Sequence, residues 1–308
     1  MESFNGLKPV DLRTQPRCVH MQETYKIEKR DWAATLMAVV VVVTMVTSTF
    51  VLFAPEASAR TGSDDFGYTM KDSVEPDGPT YNWTEISTTG VKLLGSTSDG
   101  AQGPFDIGFD FEFYEETYST FFNGGDNGHI SFGGGSSNQY TPTTIPSTRL
   151  MPNSIAAGWF DGGFCISRNS DSGVYYQTVG DVGTRQLIIQ MEDQVYWGSR
   201  DGSTDCRLGR ASATDTITWQ IVLNEGSNSV VIHYKDAIGG NLYRDNEYLT
   251  SGIQGNVDGT LYGIQYKYRT SPSSVIPSET SVQFMPPPPK RNDLILSSTT
   301  IPQPMSLA

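Results

Sequence analysis

The sequence predicts an all-β fold: a two-sheet antiparallel β-sandwich, jelly-roll-like, preceded by one N-terminal transmembrane or signal helix. Three observations predict it. Residues 103–133 alternate apolar and polar, with Phe105, Ile107, Phe109, Phe111 and Phe113 separated by Asp106, Asp110 and Glu112, the period-2 pattern of a strand with one buried face. About ten short segments of this kind recur between Gly- and Asn-rich turns, with no amphipathic helical period among them. Charged residues make up only 18% of the 308, against 31 glycines and 11% aromatics, a balance that suits sheets joined by turns.

In chain order, residues 1–30 are polar and irregular, a cytoplasmic or mis-started leader with Met21 as an alternative start. Residues 31–59 form the transmembrane helix or signal peptide. Their uncharged run from Ala33 to Ala54 has the roughly 20-residue length that spans a bilayer. Lys26, Lys29 and Arg30 before it place the N-terminus inside by the positive-inside rule. Ala57-Ser58-Ala59 after it resembles a signal-cleavage site. A cleaved signal and a single-pass anchor remain as two outcomes. Both export the rest, so the membrane is a partner through residues 33–54, and the body is extracellular or secreted.

Residues 60–80 are rich in Asp, Gly, Ser and Pro and are expected as a linker. The sandwich is expected over residues 81–285. Tyr81–Ile86 reads as its first strand, and Asn82-Trp83-Thr84 is a glycosylation sequon centred on Asn82. Gly108, on the polar face of the central segment, suits a bulge or close backbone approach. Tyr114–Thr117 is a tight reversal into Tyr118–Phe122, and Asn123–Gly128 is a turn dense in residues that tolerate positive φ. Gly133–Asn153 reads as a loop. Strands follow at 155–161, 174–179, 186–191, 214–223, 229–235, 249–253, 262–268 and 282–284. Pro286–Pro289 is a stiff linker, and residues 286–308 end in the unfinished strand of a next domain.

The order of these pieces resembles an exported domain of bacteria and archaea related to nidogen-like extracellular domains. The resemblance is carried by Tyr81-Asn82-Trp83 with Ile86-Ser87, by Gly103–Phe109 and Phe111–Tyr114, and by Asn127–Phe132. It continues through Ile155-Ala156, Trp159-Phe160-Asp161, Gly173–Tyr176, Trp219–Leu223 and Gly252-Ile253-Gln254. It implies a module of surface proteins, sometimes beside secreted peptidases, and carries over no catalytic residue. Where many members read Phe-Trp-Asp-Asp, this chain has Trp159-Phe160-Asp161-Gly162. The tail from Asn292 is similar to the opening of a CARDB-type adhesion module, an Ig-like sandwich.

The formal net charge of −13 argues against nucleic acid, whose phosphates need clustered Lys and Arg. No G-x-S-x-G elbow, H-E-x-x-H or phosphate loop occurs. His129 and His233, on separate expected strands, are too few for a zinc site. Glu192 and Asp193 are adjacent strand positions that point to opposite faces, so they do not flank one bond. No enzyme is expected. The acidic turns at Asp126, Asn127, Asp161, Asp201 and Asp205 are calcium candidates, since calcium takes oxygens from clustered Asp, Asn and main chain. Solvated turns are the plainer reading of the same residues. Trp159, Tyr196 and Trp197 offer either a sugar-stacking platform or core. Cys165 and Cys206 are the only cysteines beyond the apolar run, and export predicts that they pair. The function expected is a surface or secreted structural and adhesion module, meeting surface glycans or other surface proteins. The alternative is a calcium- or carbohydrate-binding domain accessory to a secreted hydrolase.

Overall fold

The computed structural model describes Met37 and residues 60–94, 99–164, 169–196, 216–237, 249–269 and 276–289. The chain divides into two units, Met1–Glu56 and Ala57–Ala308, and the strands all belong to the second. The expected spanning segment, Met37 apart, lies outside the described residues, as does the tail from Lys290. Among the described residues no helix is long and apolar enough to cross a membrane.

Fifteen strands are present among the described residues. They are β1 (Thr61–Ser63), β2 (Thr69–Asp72), β3 (Val91–Leu94), β4 (Gln102–Phe113), β5 (Glu116–Asn123), β6 (His129–Ser131), β7 (Ser154–Trp159) and β8 (Gly162–Phe164). Then come β9 (Gly173–Val179), β10 (Gln186–Tyr196), β11 (Ile217–Asn224), β12 (Val230–Asp236), β13 (Thr250–Val257), β14 (Thr260–Tyr268) and β15 (Thr280–Met285). The larger sheet runs β1-β2-β15-β12-β11-β10-β9-β3, with β8 beside the end of β10, and the smaller runs β14-β13-β7-β6-β5-β4. Every strand pairing among the described residues is antiparallel, and the core lies between the sheets.

Alternation decides what faces that core. On β4, Ile107, Phe109, Phe111 and Phe113 are buried while their neighbours are exposed, as the pattern required. Opposite them, Leu187, Ile189 and Met191 of β10 join Trp219, Ile221 and Leu223 of β11 and Ile232 and Tyr234 of β12. Gly108, at φ 90°, sits in a register shift of β4, where a Cβ would lie 3.1 Å from Thr178. Its carbonyl accepts from Arg185, and Thr178 Oγ1 donates 2.7 Å to the carbonyl of Ile107. The irregular stretch of β4 is thereby bonded to side chains of β9 and of the turn before β10 in the larger sheet.

Two expectations are corrected. Residues 60–80 are not a linker: β2 pairs with β15, Tyr114 Oη donates 2.6 Å to Asp64, and Tyr266 Oη donates 3.1 Å to Asp72. Their low apolar content hid anchors supplied from distant tyrosines. Tyr81–Ile86 is not a strand but a strap across the outer face of the larger sheet. Its partners are side chains, not a neighbouring backbone ladder. Gln190, Gln220, His233 and Ser281 stand in register across β10, β11, β12 and β15. Gln190 Oε1 accepts the Ile86 amide at 3.2 Å, Gln220 Nε2 donates 2.6 Å to the Thr84 carbonyl, and the Tyr81 ring meets His233 edge-on. Gly133–Asn153 is the loop expected, and it covers the smaller sheet's outer face. Gln254 Nε2 donates to the carbonyls of Ser147 and Met151 beneath it, at 3.0 and 2.9 Å.

Candidate functional site

The densest polar cluster sits where the loop after β5 passes under the end of β7. Asn123 to Ile130 are all buried. A loop buried without a ladder must satisfy its backbone locally, and this one does. Gly124 N donates 2.9 Å to the His129 carbonyl, and the Gly128 carbonyl accepts from Ala157 and Gly158 at 3.1 and 3.0 Å. Gly125 and Gly128 take φ of 76° and 73°, the left-handed conformation the sequence anticipated at this turn. Gly124 has a second reason to be glycine: a Cβ there would stand 2.2 Å from the His129 ring.

One glutamine ties this loop to the other sheet. Gln194 of β10 is fully buried, and its Nε2 donates to the carbonyls of Asp126 at 2.8 Å and Gly158 at 3.2 Å. Its Oε1 accepts from Trp219 Nε1 at 2.9 Å. Asn127 works in the same way on the outer side. Its Nδ2 donates 3.0 Å to Asp99, and its Oδ1 accepts the Gly162 amide at 3.3 Å.

The structure thus brings Asp126, Asn127 and Asp161 together from separate segments and adds Asp99. Asp126 and Asn127 are not solvated turn residues: both are fully buried. The Asp161 carboxyl is pushed up to about 6, first by burial and then by the negative charge of Asp99. His129 is held near 4 by burial, so it is neutral at pH 7. Its Nε2 lies 3.1 Å from Gln139 Oε1, and its ring abuts Trp159. Chemically, two carboxylates with an amide between them attract a cation, whereas a sealed neutral histidine has no access to a substrate. Among the described residues no three His, Cys, Asp or Glu side chains converge to hold a metal ion. Asp201, Asp205, Cys165, Cys206 and Trp197 lie outside the described residues.

The remaining candidates separate. Trp159 is buried under the cover loop, with Nε1 donating 2.6 Å to the Gln139 carbonyl, so it is core and not a sugar platform. Asn82 is exposed on the strap, open to modification. Glu192 reaches Gln190 at 2.8 Å on the outer face. Asp193, at φ 56° in a register shift of β10, accepts instead from Ser172 and Thr216 at 3.2 and 3.1 Å. Sequence reasoning missed Asp99, Gln190, Gln194 and Gln220. Gln190 and Gln220 did carry a signal, being polar interruptions of apolar runs, whereas Gln194 follows Glu192 and Asp193 and carried none.

The family model described as NIDO related matches residues 77–293, a span that opens just before the strap and closes just after the proline run. No curated protein and no solved structure matches the chain.

Proposed function

The chain belongs to the NIDO-related family, and on that premise we propose that it is an exported structural and adhesion module, tethered or secreted through residues 33–54, with no catalysis of its own. The observation that carries this reading is the use made of the polar cluster. Gln194, Asn127 and Gln254 all bind main chain, joining sheets, loop and cover into one rigid body. Such a body suits a surface module that presents its exterior to other surface proteins or glycans. The tail from Asn292, as the start of a CARDB-type module, belongs to the same proposal, and so does pairing of Cys165 with Cys206. Fractionating cells that express a tagged full-length chain tests export, with the tag expected in membrane or medium and a wholly cytosolic tag overturning it. Displaying cells should also be retained on protein- or glycan-coated surfaces; retention equal to that of non-displaying cells rejects adhesion.

A second reading, calcium binding at Asp99, Asn127 and Asp161, is favoured by the mutual repulsion of the two carboxylates, which a divalent cation relieves. Calcium at millimolar concentration should then raise the melting temperature, because a ligand of the native state stabilises it. An unchanged melting temperature rejects this reading.

A further inference from the structure

A pocket of about 530 Å³ lies at the C-terminal end of β4, between the N-terminal segment and the proline run. Its floor is aromatic: Phe66 stands 5.1 Å from Tyr114, whose ring stacks on Tyr68 at 4.4 Å. Pro287 closes one side, near enough to Gly67 that a Cβ there would meet it at 3.1 Å. The turn before β12 closes the other, with Asn228 Oδ1 accepting the Glu112 amide at 3.1 Å. The proline run is therefore a wall of this cavity and not a detached spacer.

The hairpin turn beneath the pocket is built against the local preference. Two-residue turns with both central φ positive favour Asn-Gly or Asp-Gly, and the β13–β14 hairpin uses that solution, Asp258-Gly259 at 50° and 83°. The β4–β5 hairpin places Tyr114 and Glu115 in the same conformation, at 49° and 68°. Left-handed φ is strained for residues with a side chain, and strain of this kind concentrates at binding sites. What the turn gains is side-chain placement. Tyr114 is locked into the aromatic floor by Asp64, and Glu112 and Glu115 stand at the rim.

Among the described residues the charge of the lining has one sign. Its ionisable groups are Glu112, Glu115 and two tyrosines kept protonated, since burial, with nearby carboxylate charge, raises both hydroxyls. Among the described residues no Lys, Arg or His lines it. Phe66, only partly buried, lines the cavity with the kind of ring that attracts a cation, and Glu112 lines the same cavity. We propose that this pocket binds a compact organic cation, an ammonium or guanidinium group held against Phe66 and neutralised by Glu112.

Calorimetric titration of the full chain tests this with three probes: choline as a free cation, Nα-acetyl-lysine amide as a peptide-borne one, and Nα-acetyl-glutamate amide as an anionic control. One or both cations should bind, the anion should not, and the cation that binds identifies the source. Phe66→Leu and Glu112→Gln should each weaken binding about fivefold, the scale of one partly solvated cation–π or ionic contact. Glu112 is exposed, so its variant keeps the test open if the Phe66 variant fails to fold. Two results overturn the proposal: neither cation binding at about 10 mM, or cation binding unmoved by Glu112→Gln, which would assign it to the chain's general negative charge.

Discussion

Two acidic regions that look alike in sequence are opposites in structure. Along residues 64–78 each key carboxylate meets donors. Asp64 Oδ1 accepts the amides of Gly67 and Tyr68, both at 2.9 Å, its Oδ2 accepts from Tyr114, and Asp72 accepts from Val74 and Tyr266. At the loop cluster, Asp161 faces Asp99 and is driven up to about 6. Glu225 is of the first kind too. Arg185 and the amides of Gly183 and Arg185 hold it near 2. An acid given donors fixes the chain, whereas an acid given another acid holds a negative potential that a cation or a proton relieves.

The largest expected effect breaks the scaffold under the second region. A Cβ on Gly162 would stand 2.1 Å from the Asp126 carbonyl, and backbone cannot yield as a flexible side chain can. Gly162→Ala should cost about 4 kcal/mol or prevent folding, read from denaturant midpoints. A cost near zero would mean that the loop is as loose as its composition suggests. Next in size is acid. His129 is buried and neutral at about 4 in the folded chain, whereas the unfolded chain protonates at about 6.5. Its stabilisation is complete above pH 6.5 and is lost as pH falls toward 4, up to about 3 kcal/mol. His233, also lowered by burial, acts in the same direction. Asp161 opposes them, because a raised carboxyl favours folding below its ordinary value and loses that advantage as pH rises through 6. It is only partly buried, so the histidines win and urea midpoints should fall from pH 7 to 4.5. A midpoint that rises over this range would reverse that ranking.

The first region is sharpened by removing one hydroxyl. Tyr114→Phe keeps the ring stack but leaves Asp64 Oδ2 without its 2.6 Å donor, an expected loss of about 2 kcal/mol. The adjacent amide bonds to Oδ1 should survive, so Asp64→Ala should cost more than Tyr114→Phe. Equal costs would mean that the hydroxyl is the only part of the Asp64 network that matters.

The central strands were legible because alternation is local. Phe105 to Phe113 state their own buried face, and Asn123–Gly128 states its own turn. Residues 60–80 were illegible because what holds them is distant: Tyr114 and Tyr266 lie 50 and 194 positions from their partners. The strap failed for a related reason. Tyr81–Ile86 has strand composition, yet its hydrogen bonds go to Gln190 and Gln220, and side-chain partners leave no period in the sequence. At the candidate site, Asp126, Asn127 and Asp161 were identified by residue type alone. Their convergence, and the part of Asp99, depended on how the loop after β5 passes beneath β7.

The smallest effect is the most telling, because one chemical change should carry opposite signs in the two kinds of site. Glu225→Gln removes a charge that Arg185 and two backbone amides hold, so it should lower the melting temperature. Asp161→Asn removes a charge that burial and Asp99 disfavour, so at pH 7 it should raise the melting temperature slightly, by about 1–2 °C on the scale of a chain this long. The gain should vanish at pH 4.5, where wild-type Asp161 is already protonated. Calcium, if it binds here, should narrow the gap at pH 7 by stabilising the wild type alone. Should Asp161→Asn destabilise at pH 7 as Glu225→Gln does, the Asp161 carboxylate is bonded and not repelled, and the contrast between the two regions fails.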